Sequence, residues 1–206
     1  MSSPAPQPRR HLHTRSIELQ GFIRDDGLFE LEARLTDRKS YDSQRFPDAT
    51  LAAGEPLHDM IVRMTFDDEL LISEFSANMA ATPYDGCREA EPNFSALVGL
   101  RIQPGFLREA NRRVAGVKGC THVRELLQQL ATTAYQTVVG VRLQRQAETG
   151  ARPSGKPALL DTCAGYRADG DWVRIRWPEY YRPTATQHAG GQGIATAAEA
   201  GSTRHS

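Results

Sequence analysis

The sequence predicts an α+β fold, an antiparallel sheet of four to five strands with helices packed on one face. Two observations carry that expectation. Within roughly the first eighty residues, separate runs alternate apolar and polar residues with a period of two, and beyond them apolar residues recur at three- and four-residue spacing. Turn residues separate the alternating runs at hairpin distance, which pairs neighbouring strands antiparallel.

Taken in order, SIELQGFI is a first short strand, and RDDG, Arg24 to Gly27, supplies its turn. Phe29, Leu31, Ala33 and Leu35 then alternate with Glu30, Glu32, Arg34 and Thr36, the pattern of a half-buried strand. After an irregular polar stretch, Leu57–Phe66 reads as a third strand, Asp67-Asp68-Glu69 as a turn, and Leu70–Met79 as a fourth strand. FSALVGL, PGFLREANRRV and THVRELLQQLATTAYQTVVGVRLQRQ have helical spacing, and the last is long. WVRIRW, Trp172–Trp177, alternates again and is expected to be a closing strand or sheet edge. ETGARPSGKP, Glu148 to Pro157, marks a loop. Residues 1–12 and 184–206 are small and polar, too poor in apolar groups to offset ordering entropy, so one domain over 13–183 between two disordered tails is expected.

Composition excludes several classes of function. Lys+Arg and Asp+Glu both total 25 in 206 residues, which leaves no basic excess to grip nucleic acid or an anionic bilayer. No apolar run approaches the roughly 20 residues of a membrane span. The amino terminus has arginines without a following apolar region, so no secretory signal is expected. Three cysteines, Cys87, Cys120 and Cys163, then read as reduced thiols of a cytoplasmic protein and not as a disulfide framework. GGQG near the carboxyl end has neither the lysine nor the helix of a phosphate loop. Exposed Trp172, Trp177, Tyr180 and Tyr181 would leave room for self-association, with a covered core edge as the plainer reading.

All three cysteines stand next to turn residues, in PYDGC, KGCTH and LDTCAGY. Cys120 follows Gly119 at the expected start of the long helix, with Thr121 as its N-cap, where unpaired N–H groups and the macrodipole favour a thiolate. His122 lies two residues on. Strict alternation puts His58 on the face of Met60, Val62, Met64 and Phe66, a half-buried histidine, while Asp59 points the other way with Ile61 and Arg63 and can pair with Arg63 or another arginine. Cys87, Cys120, Cys163, His58, His122 and Asp59 are therefore the candidate metal ligands, in a Cys₃His or Cys₂His₂ set suited to zinc, or as thiolates on an iron–sulfur cluster. Spacings of 33 and 43 residues between cysteines require the fold to assemble any such site. Cys120, His58 or His122, and Asp59 can equally be written as a hydrolytic Cys/His/Asp arrangement.

The blocks HTR, GFIRDDGLFELEARLTDRKSYD, GEPLHDMIVR, PYDGC, LVGLRIQPGF, GCTHVRELL and LDTCAGYRADG together resemble a family of small bacterial proteins catalogued only as a domain of unknown function. The resemblance implies that the six candidate ligands fall in the family's recognisable blocks, and it implies no activity. A weaker likeness of layout is to iron–sulfur scaffold proteins of the NifU type, in which a cysteine-and-aspartate segment, a hairpin, a second cysteine and a cysteine–histidine helix start follow one another. His58 stands where that pattern has cysteine. The expectation is a metal-binding or sulfur-handling accessory protein of the bacterial cytoplasm, with a protein or small-molecule partner. The alternatives are a cysteine- or metal-dependent hydrolase of a small acyl or thioester substrate, and a non-catalytic binding module.

Overall fold

In the computed structural model, residues 7–150, 155–157 and 159–183 are described. The chain forms two compact units, residues 1–149 and 150–206. The domain expected over 13–183 thus spans both, and the division falls inside the Gly- and Pro-rich segment read as a loop. The carboxyl-terminal tail expected from 184 and residues 1–6 lie outside the described residues, while residues 7–12 are exposed and irregular.

Six strands build the first unit: β1 (His13–Ile23), β2 (Phe29–Lys39), β3 (Ser43–Arg45), β4 (Ala49–Leu51), β5 (Pro56–Phe66) and β6 (Ile72–Ala81). The main sheet is antiparallel throughout in the order β1-β2-β5-β6, and β3 and β4 form a separate two-stranded hairpin inside the stretch that sequence alone leaves irregular. Register aligns the alternating residues rank by rank: Ile17, Leu35 and Met60 stand abreast, as do Leu19, Ala33 and Val62. Phe29 meets Phe66 at the far end with ring centroids 5.8 Å apart. These residues share one face, buried in β2 and β5 and partly buried at Ile17 and Leu19 of β1, because a period of two sends every second side chain the same way. The other face carries exposed Arg34, Ile61 and Arg63.

Helices cover the buried face. Helix α1 (Phe106–Val114) buries Phe106, Ala110 and Val114, and α2 (Thr121–Thr149) buries Val123, Leu126, Leu127, Leu130, Ala134 and Val138, the three- and four-residue stripe read from the sequence. A 3₁₀ stretch, Asp85–Leu97, adds Phe94 and Leu97 to the core. Two glycines set how closely α2 approaches. A Cβ on Gly21 of β1 would meet Thr137 Oγ1 at 2.3 Å, and one on Gly119, just before α2, would meet the Val114 carbonyl oxygen at 2.1 Å. Neither position can carry a side chain without displacing a neighbour. The start of α2 is further tied to α1 by Arg124, whose Nε and Nη2 donate to Asn111 Oδ1 at 3.0 and 2.8 Å.

The second unit corrects one expectation. Trp172–Trp177 is not a strand, since Asp171–Arg176 forms a short helix, α3, in which the Arg174 N–H donates to Gly170 O at 3.0 Å. A strand would bury Val173 and Ile175 alike, whereas Val173 is fully buried and Ile175 is 74% exposed. Six alternating residues bounded by glycine and proline fit either state, and the rings of Tyr166, Trp172 and Trp177, packed 4.8–5.8 Å apart, favour the helical turn. Among the described residues no helix is long and apolar enough to cross a membrane.

Candidate functional site

The alternation that buries Phe29, Leu31, Ala33 and Leu35 does not stop there: the next residue in phase is Asp37, 1% exposed. Register places Arg15 of β1 on one side of it and His58 of β5 on the other, so three neighbouring strands deliver a cation, a carboxylate and an imidazole in one rank. His13, two residues before Arg15, shares that face at the end of β1. The first turn of α2 lowers His122 onto the same spot.

Four hydrogen bonds converge on the Asp37 carboxylate. Arg15 donates from Nε to Oδ1 and from Nη2 to Oδ2, each at 2.8 Å, the paired geometry that suits guanidinium and carboxylate. His13 Nε2 donates to Oδ1 at 2.7 Å and His58 Nδ1 to Oδ2 at 3.0 Å. An ionised carboxylate only accepts, so these two ring nitrogens carry the protons. Arg15 also reaches Glu125 Oε2 of α2 at 2.5 Å, which spreads its charge over two carboxylates. His122 Nε2 stands 3.8 Å from Asp37 Oδ2, and its ring lies over that of His58 with centroids 3.8 Å apart and planes tilted by 35°. The sulfur of Cys120 lies 3.8 Å from the other nitrogen of His122, Nδ1.

The electrostatics follow from burial and charge together. Burial alone would raise the Asp37 pKa, but the hydrogen bonds of Arg15 and His13 and the positive charge of Arg15 outweigh it and hold the group well below the usual carboxylate range. His58 is lowered, first by burial and then by the neighbouring His122, against the pull of Asp37. His122 is lowered by burial first and by Arg15 next. Both rings are therefore held toward the neutral form, which is the form that ligates a metal.

Asp37, His58 and His122 each bring one potential ligand atom within 4.8 Å of the others. The observed O–N separations of 3.0 and 3.8 Å are each short enough for the two donors to share one ion at roughly 2.1 Å from each. Of the four lone-pair sites of the carboxylate, three are taken by Arg15 and His13, and an ion would take the place of the His58 proton on the fourth. Two imidazoles and a carboxylate are a set found with zinc and with non-haem iron.

The residues expected from sequence divide. His58 faces inward beside Met60, and His122 and Cys120 meet at the start of α2. Cys120 itself, not Thr121, occupies the N-cap position, since its carbonyl accepts the Arg124 N–H at 3.0 Å and Thr121 is already helical. Asp59 points to the opposite face, where Arg34 grips both its oxygens at 2.9 and 2.7 Å, while Arg63 turns to Glu32. Cys87 is half-buried against the hydrophobic core, and Cys163 is exposed in the second unit; all three thiols are free. The central carboxylate, Asp37, and its partners Arg15 and His13 are absent from the expected set. An aspartate in phase with an apolar alternation was the signal for the first.

No curated protein and no solved structure matches the chain. The family described as protein of unknown function (DUF2889) matches residues 13–136, a span that runs from β1 into α2 and contains Asp37, His58, Cys120 and His122. The chain belongs to that family.

Proposed function

We propose that this protein binds one divalent transition-metal ion, of the zinc or ferrous class, through Asp37, His58 and His122. The observation that supports the reading most is the convergence of these three donors, contributed by β2, β5 and α2, on a point where Asp37 is held ionised and both imidazoles neutral. The neighbouring Arg15 does not contradict it, since its charge is shared with Glu125, and the His13 ring serves as a hydrogen-bond donor to Asp37. Free thiols suit a reducing compartment such as the bacterial cytoplasm, where an accessory role in metal handling would be played. Calorimetric titration of chelator-treated, untagged protein with zinc(II) tests the proposal. One ion per chain for the wild type and none for His58→Ala or His122→Ala is the expected result; equal binding by all three proteins would overturn it.

A second reading has its own observation. Cys120 Sγ, the two nitrogens of His122 and Asp37 Oδ2 follow one another at 3.8 Å and 3.8 Å, the order of nucleophile, base and orienting carboxylate. That order suits a thiol attacking a small acyl or thioester substrate. Incubation with an activated acetyl thioester, followed by mass spectrometry, should then place an acetyl group on Cys120 ahead of Cys87 and Cys163; equal labelling of all three would dismiss it.

A further inference from the structure

Cys120 and His122, two residues apart at a helix start, would by spacing alone both be metal ligands. We infer instead that Cys120 is a positioning residue: its sulfur holds Nδ1 of His122, so that Nε2 is the nitrogen presented to the ion. This rests on the metal reading above and adds to it which atom binds and what orients that atom. The sulfur is 3.8 Å from Nδ1, while Nε2 faces Asp37 Oδ2 at 3.8 Å. The in-plane lone pairs of the two ring nitrogens diverge, so an ion on Nε2 lies on the opposite edge of the ring from the sulfur. With Nε2 on the ion, Nδ1 must carry the proton, and the sulfur is placed to accept it. Metal-bound histidines regularly donate their second nitrogen to such a partner, which fixes ring orientation and tautomer.

The backbone around Cys120 supports this role. Its carbonyl is fixed by the Arg124 N–H at 3.0 Å, and Gly119 before it is wedged against the Val114 carbonyl where no side chain fits. The Cys120 Cα therefore moves only if the start of α2 moves with it. The ring of His122 is then bounded on three sides: by the sulfur at Nδ1, by the face of His58, and by Asp37 Oδ2 at 3.8 Å from Nε2, the gap an ion would bridge.

Cobalt(II) is the probe, because a sulfur bound to it gives an intense thiolate-to-metal charge-transfer band and a sulfur beyond the first coordination sphere does not. The wild-type full chain should bind one cobalt with ligand-field bands and without that charge-transfer band. Cys120→Ala should keep the stoichiometry with roughly 10–100-fold weaker affinity, the usual effect of losing such an outer partner. Cys120→Ser, whose hydroxyl can also accept from Nδ1, should recover most of the loss. A strong charge-transfer band that disappears in Cys120→Ala makes Cys120 a direct ligand and overturns the inference while the metal reading stands. Affinity unchanged in a folded Cys120→Ala also overturns it. Absence of any cobalt or zinc binding by the wild type overturns the metal reading itself, and the role of Cys120 with it.

Discussion

Replacing Asp37 with asparagine removes the charge at the centre of the cluster and keeps the shape. The carboxylate is 1% exposed and accepts four hydrogen bonds, two from Arg15 and one each from His13 and His58. Asparagine has one acceptor oxygen, and its amide N–H groups would face donors. Removing one member of a buried ion pair costs about 3–5 kcal/mol. Arg15 is 33% exposed and keeps Glu125, so the cost lies at the low end, about 3 kcal/mol. With a urea dependence of about 2 kcal/mol per molar, the unfolding midpoint falls by about 1.5 M. Urea unfolding of chelator-treated protein followed by far-ultraviolet circular dichroism measures it. Pairing the change with Arg15→Gln in a double-mutant cycle should return a coupling of about 1–3 kcal/mol. A loss below about 1 kcal/mol with no coupling would refute the claim that Asp37 organises this end of the sheet.

Other expectations concern pH, packing and the opposite face. The lowered pKa values of His58 and His122 mean that the unfolded chain binds protons the folded chain does not; stability from the pair is full above about pH 6.5 and declines as pH falls from there. The depressed pKa of Asp37 acts in the same direction lower down, its contribution being full above about pH 4 and lost below. The urea midpoint should therefore rise from pH 5 to 7, and the rise should flatten when both histidines are replaced by glutamine. Gly119→Ala sets a Cβ against the Val114 carbonyl and should destabilise by about 1–3 kcal/mol. Gly140→Ala, on the exposed side of α2 with open space around it, should stabilise by about 0.5–1 kcal/mol in the same urea titrations. Asp59→Asn breaks a pair whose arginine is 56% exposed, so it should shift the urea midpoint far less than Asp37→Asn does and leave zinc binding unchanged.

The sheet was legible because half-buried strands write their faces in the sequence. The alternation from Phe29 to Leu35 and that from His58 to Phe66 locate β2 and β5 and orient His58 correctly. Asp37 continues the first alternation by one more step, but a charged residue ends an apolar run when read by hydropathy alone. Its burial depends on Arg15, which lies across the sheet and 22 residues away, a pairing that only register reveals. His13 and Arg15 stand ahead of the apolar part of β1, where nothing local marks them. Adjacency to turns does not separate the cysteines: Cys87 and Cys120 both pack partly buried against the core, and only Cys120 stands beside His122 at the start of α2. At Trp172–Trp177 the alternation was too short to exclude a helical turn.

The central claim is that Asp37, His58 and His122 form one metal centre. Elemental analysis by mass spectrometry of untagged wild type and of the His58→Ala, His122→Ala double variant, both dialysed after loading with zinc(II), tests it most directly. One zinc per wild-type chain and none in the double variant is the expected result. No zinc in the wild type, or the same zinc content in both proteins, would contradict it.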